Sequence, residues 1–131
     1  MRAKLADGND KDPTMFGFLN PSRKVDFDTL MPRIAAGDVT LVDVREAGEL
    51  AMTGQAKGAI HAPLMRLADL ADPSHPDKHP KLNPAKPVAL YCASGARSAH
   101  GKRLLEKLGY AEVVNLGGLN DWARAGGAVT R

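Results

Sequence analysis

Three short runs of this chain, residues 39–44 (VTLVDV), 88–92 (VALYC) and 112–116 (EVVNL), are rich in β-branched residues and nearly continuous in apolar character. A strand with one wet face alternates polar and apolar residues. Runs that stay apolar are covered on both faces, as strands of a parallel sheet are. The intervening segments carry helical spacing at residues 46–52, 64–71, 98–108 and 119–125, with Leu104, Leu105 and Leu108 on one stripe and Gly109 as a stop. Alternating strands and helices give an α/β fold, a parallel sheet with right-handed crossovers and helices on both faces. Residues 25–27 are expected to add a short strand, after which Asp28 caps a helix through Ile34 and Ala36 that ends at Gly37. Residues 72–87 contain Pro73, Pro76, Pro80, Pro84 and Pro87 and read as a loop over the surface.

A chain of 131 residues is the size of one domain. Residues 1–24 alternate charges with Gly and Pro around one small apolar patch, Phe16, Phe18 and Leu19, and read as a flexible N-terminal extension of a domain at 25–131. A secretory signal needs an apolar run of about 7 to 15 residues, and transit peptides avoid acids, whereas Asp7, Asp10 and Asp12 lie here. The expected location is cytoplasmic. No run approaches the roughly 18 apolar residues of a membrane span. The net charge of +3 invites a nucleic-acid reading, but the bases are scattered and aromatics are only 5%. The excess falls in residues 92–131, which hold six bases and three acids, and suits a small anionic substrate better than a polyanion.

There is a single cysteine, so a disulfide framework, a dithiol redox motif and a thiolate zinc site are all excluded. Cys92 ends an apolar strand and Ser98 opens an amphipathic helix, so residues 93–97 are expected to form a tight loop at the C-terminal end of a parallel strand. Open α/β sheets bind ligands there. Small residues, with Gly95 free to take unusual dihedral angles, let successive N–H groups turn inward as an anion nest. The helix adds its positive end. The thiol of Cys92 should therefore ionise more readily than the ~8.5 of a free cysteine and act as a nucleophile. A cysteine that simply packs at the end of an apolar strand is the alternative reading of the residue alone.

At these residues the chain resembles the rhodanese-like family, specifically its single-domain members. LVDVREAGEL (residues 41–50), TGQAKGAIHAPL (53–64), and YCASGARS with LGYAEVVNLGGLNDWARAG match its blocks in order, over roughly residues 25–128. The resemblance implies a five-stranded parallel sheet flanked by helices. It implies a sulfurtransferase in which Cys92 takes a sulfane sulfur from thiosulfate or a persulfide donor, holds it as a persulfide and passes it to a thiophilic acceptor. Ala93, Ser94, Gly95, Ala96, Arg97 and Ser98 would bind the donor through their N–H groups. Arg97 either binds the anion or shapes the loop. Asp43 and Arg45 would support the loop as a buried pair, and Glu49 falls on an acidic position of the family. Gln55 stands where the family often has His. No metal or organic cofactor is implied, and the acceptor is external: a thiol, cyanide or a sulfur-acceptor protein.

Arg97 lies five positions after Cys92, the spacing of sulfurtransferases; the phosphatases and arsenate reductases of the same fold have one residue more. A catalytically idle binding or regulatory module is the other alternative, and the presence of Cys92 and Arg97 argues against it. The remaining residues read as structural. His75 and His79 are separated by proline and lack a third ligand for a metal. His61 and His100 lack acidic neighbours, Trp122 reads as packing, and Gly117–Gly118 reads as a turn before a helix.

Overall fold

The computed structural model describes residues 25–131. The expected extension at residues 1–24, with its apolar patch, lies outside the described residues. In chain order the elements are α1 (Phe27–Ala35), β1 (Thr40–Asp43), α2 (Ala47–Thr53), β2 (Gln55–Ala56), β3 (Ile60–His61), α3 (Leu64–Ala71), β4 (Val88–Cys92), α4 (Ala96–Lys107), β5 (Val113–Gly118), α5 (Leu119–Arg124) and β6 (Val129–Thr130).

Four strands form a parallel sheet in the order β3-β1-β4-β5. All five residues of β4 are buried, and the pleat divides them between two cores. Val88, Leu90 and Cys92 join Leu67, Ala71 and Leu105 of α3 and α4 on one face. Ala89 and Tyr91 join Leu30 of α1 and Leu119 and Trp122 of α5 on the other. A strand with two dry faces has no polar alternation, which is why VALYC reads as it does. Each large aliphatic side chain buried this way stabilises the fold by roughly 1.5–3 kcal/mol. The chain leaves β1 toward β3, then crosses back to β4 on the other side of β1. The C-terminal ends of β1 and β4 therefore flank a switch point, where such sheets open a crevice.

The expected five-stranded sheet is corrected to four parallel strands plus a separate antiparallel pair, β2 with β6. The strand expected at residues 25–27 does not form. Asp26, not Asp28, caps α1, its carboxylate accepting from Thr29 N–H at 3.2 Å and Thr29 Oγ–H at 2.8 Å. That cap carries Phe27 into the helix, where Phe27, Leu30, Met31 and Ile34 share one apolar stripe against the second core. Residues 72–87 hold neither helix nor strand, as the prolines require, and the fully buried Leu82 pins them to the first core.

Candidate active site

Cys92 ends β4 on the α3/α4 face and is 1% exposed. The helix after it starts at Ala96, two residues earlier than the spacing suggests, so Arg97 and Ser98 sit in the first turn of α4 and only residues 93–95 are loop. Gly95 makes the early start feasible. Its φ of +104° is a left-handed conformation that folds the chain back directly into the helix. The turn aims Gly95 N–H at Cys92 Sγ, 3.0 Å away, and brings Ser98 Oγ within 3.4 Å of the same sulfur. Burial opposes ionisation of the thiol most strongly. It is outweighed by hydrogen bonds from the Ser98 hydroxyl and from the N–H groups of Ser98, Gly95 and Ser94, which together lower the pKa to about 7. A substantial share of Cys92 is thiolate at neutral pH. Ala93, Ser94 and Ala96 are exposed around it, while Gly95 and Arg97 are half-buried.

The turn is fastened to β5 by a residue the sequence reading did not single out. Asn115 donates from Nδ2 to the Gly95 carbonyl at 2.9 Å, and its Oδ1 accepts from Ser98 Oγ–H at 2.7 Å and from Gly117 N–H at 2.9 Å. One amide thus sets the height of Gly95 and the direction of the Ser98 hydroxyl. The available signal was the polar Asn inside EVVNL, at a place where a doubly covered strand has little use for one. Gly117 and Gly118, read as a plain turn, do more. A Cβ on Gly118 would lie 2.9 Å from the Ala93 carbonyl carbon and closer still to its oxygen, and one on Gly95 would meet the Gly117 Cα at 3.3 Å. The cysteine turn packs backbone against backbone here, and only glycine leaves room.

Two ion pairs flank the turn. Arg97 forks onto Glu49 of α2, Nη1 to Oε1 at 2.7 Å and Nη2 to Oε2 at 2.8 Å. Glu49 Oε1 also accepts Glu46 N–H at 2.9 Å at the start of its own helix. The Arg97 hydrogen bond is the main reason that the Glu49 carboxyl falls to a pKa of about 2, and Glu49 in turn raises that of Arg97. The second pair, Asp43 and Arg45, is buried at the end of β1. Asp43 accepts from Arg45 Nη2 at 2.8 Å and from Tyr91 O–H at 2.6 Å. Arg45 further donates to Thr53 Oγ1 at 2.7 Å and the Gly54 carbonyl at 2.6 Å, and Tyr91 Oη accepts Ala56 N–H at 2.9 Å. The pair thus ties β1 to the end of α2 and, through Tyr91, to β4 and β2. Tyr91 precedes Cys92 and points to the opposite face, so these hydrogen bonds brace the strand that carries the cysteine.

The other candidates take structural places. His61 Nε2–H donates to the Arg45 carbonyl at 2.6 Å. His75 and His79 each accept, at Nδ1, the backbone N–H two residues on. Trp122 is buried in the second core and donates to the Ala128 carbonyl at 2.8 Å. Gln55 pairs with Thr130 in the small sheet. No described helix is long and apolar enough to cross a membrane.

Comparison with known proteins adds to this geometry. A family model described as a rhodanese-like domain matches residues 26–125. A sulfurtransferase from Allochromatium vinosum is 34% identical over 105 residues, covering 79% of this chain and 90% of that protein. The thiosulfate:glutathione sulfurtransferase of Saccharomyces cerevisiae is 33% identical over 96 residues, covering 69% of this chain and 68% of the yeast protein. A solved structure from Rhodopseudomonas palustris, of unknown function and described as a possible tyrosine phosphatase, is similar with a TM-score of 0.70 at 29% identity, covering 79% of each chain.

Proposed function

The chain belongs to the rhodanese-like domain family, and on that footing we propose that it is a sulfurtransferase working through a Cys92 persulfide. The observation that carries the reading is the convergence of Gly95 N–H and the Ser98 hydroxyl on a sulfur whose pKa is lowered to about 7. The Cys92 thiolate attacks the outer sulfur of thiosulfate. The donor's S–S bond breaks, its electron pair leaves on sulfite, and Cys92-S-S⁻ remains. With a persulfide donor the same attack releases the donor's thiolate. The amides of the turn and the positive end of α4 then face the terminal sulfur, stabilising its charge as an oxyanion hole would. In the second half an acceptor thiolate or cyanide attacks that outer sulfur, and the electron pair of the S–S bond returns to Cys92.

The acceptor is external, because the chain has no second cysteine. A small thiol such as glutathione, or a sulfur-acceptor protein, suits the chemistry, and no cofactor takes part in either step. A free, readily ionised cysteine is kept reduced in a reducing compartment, which favours the cytoplasm. The turn length argues against phosphatase or arsenate chemistry. So does Arg97, whose terminal nitrogens both face Glu49 instead of an empty anion site.

Incubation with thiosulfate should add the mass of one sulfur to the intact protein, and cyanide should then yield thiocyanate and restore the original mass. Cys92→Ser should abolish both. Absence of the added sulfur, or a thiocyanate rate untouched by Cys92→Ser, would overturn the reading; hydrolysis of an aryl phosphate that depends on Cys92 would replace it.

A further inference from the structure

On the side of the sheet away from the first core, a groove of roughly 450 Å³ opens beside the second core. Met31, Ile34 and Ala35 of α1 line it across from Trp122, Gly126 and Gly127. Gly127 lies so close to the indole that a Cβ there would overlap the ring, so this side is formed by bare backbone and an aromatic face. A second groove continues from the first, because Ile34 and Gly58 border both. It carries Lys81 and Lys86, and it borders Gly37, Val39 and Thr40, past the end of α1. The ion pairs among the described residues use arginine or histidine, and none uses a lysine. An apolar groove thus leads into one with unmatched positive charge.

The chain ahead of Val25 carries the complementary pattern in the same order. Val25 packs on the second core just before α1. Back from it come first the apolar patch Phe16, Phe18 and Leu19, then residues 7–12, which hold three acids, Asp7, Asp10 and Asp12, against one base. Reach is sufficient: Met31 to Ala35 lie roughly 6 to 12 Å along the axis from Phe27, and the six steps from Val25 back to Leu19 can span roughly 20 Å. Phe16 and Phe18 are two positions apart, so an extended segment turns both rings to one side. We propose that residues 7–19 of this chain occupy the two grooves, with Phe16 and Phe18 seated between Ile34 and Trp122 and the acidic run beside Lys81 and Lys86. The segment covers apolar surface that α1 and α5 leave open, and the charge order fixes its direction. The contact is separate from the sulfur chemistry and does not depend on it.

The test uses the full chain with Cys92→Ser, so that two introduced thiols have no competitor. Gly17→Cys, between the two phenylalanines, is combined with Ala35→Cys in the groove, and in a control with Glu106→Cys on α4. Under diamide at low protein concentration the first pair should close to a disulfide within one chain, seen as a monomer that has lost two hydrogens, well ahead of the control pair. Adding Phe16→Ser and Phe18→Ser should slow that closure roughly tenfold, since the tether is unchanged and only the apolar seating is lost. A second readout needs no introduced thiol. Trp122 is the chain's single tryptophan, and in the otherwise unaltered protein Phe16→Ser with Phe18→Ser should shift its emission to longer wavelength and increase its quenching by acrylamide. Equal closure at positions 35 and 106, or closure indifferent to the two serines, would show a tethered segment with no seat and overturn the proposal. Disulfides that form between chains instead would overturn it in favour of a second copy as the occupant. Trp122 emission and quenching unmoved by the serines would also overturn it.

Discussion

The reactivity of Cys92 is divided among a few donors, and Ser98 is the one whose share a substitution can remove. Its hydroxyl has one proton and two acceptors, Asn115 Oδ1 at 2.7 Å and Cys92 Sγ at 3.4 Å. Ionising the sulfur shifts that proton's balance toward the sulfur, so the hydroxyl stabilises the thiolate more than the thiol. Loss of one shared hydrogen bond to a charged group, while the N–H groups of Ser94, Gly95 and Ser98 remain, corresponds to roughly half a unit to one unit of pKa. In Ser98→Ala the pH midpoint for alkylation of Cys92 by iodoacetamide should therefore move up by about that amount from near 7. The thiolate is the reactive form, so the rate at fixed pH below the midpoint should fall. An unmoved midpoint would assign the lowered pKa to the backbone amides alone.

Between elements, the site depends on how closely the cysteine turn approaches β5. At Gly118 the atoms that an added methyl would meet belong to the Ala93 carbonyl, which cannot swing aside as a side-chain tip can. Gly118→Ala should push the turn off β5, loosen the Asn115 bonds to Gly95 and Ser98, and cost about 1–3 kcal/mol in urea unfolding. Sulfur loading should slow at least roughly tenfold, because a displacement of about 1 Å at the reacting group is enough. Normal loading with normal stability would show that the approach is dispensable. The same contact shows where sequence reading succeeds. The runs at 88–92 and 112–116 and the helical stripe of Leu104, Leu105 and Leu108 reveal strands and helix because burial imposes a period on them. The pair β2 and β6 is two residues per strand, too short to show any period. The start of α4 and the partner of Arg97 were missed for a different reason. They are set by a left-handed Gly95 and by Glu49, 48 positions away, and neither leaves a local pattern. The cap at Asp26 was open to detection, since Asp26 and Thr29 have capping spacing, but Val25 and Phe27 beside it read equally well as a strand.

For the whole molecule, the parallel order β3-β1-β4-β5 brings Cys92, the chain's one cysteine, to a switch point. An enzyme with a resolving cysteine would discharge its own persulfide by forming a disulfide and so release hydrosulfide. Here that step has no second thiol to make it. If the chain transfers sulfur as proposed, the first half-reaction runs once per chain and stops. Mixing the protein with excess thiosulfate and no acceptor should release one equivalent of sulfite per chain in a burst, with no steady phase after it. Adding cyanide or a thiol should start turnover from the loaded state, at a rate that depends on the acceptor. Because loading needs the thiolate, the burst should slow as pH falls below about 7, while its final amplitude stays at one equivalent. Sulfite released well beyond one equivalent without an acceptor would mean that water or a second chain resolves the persulfide. A relay that waits on an outside partner would then be the wrong description of this fold.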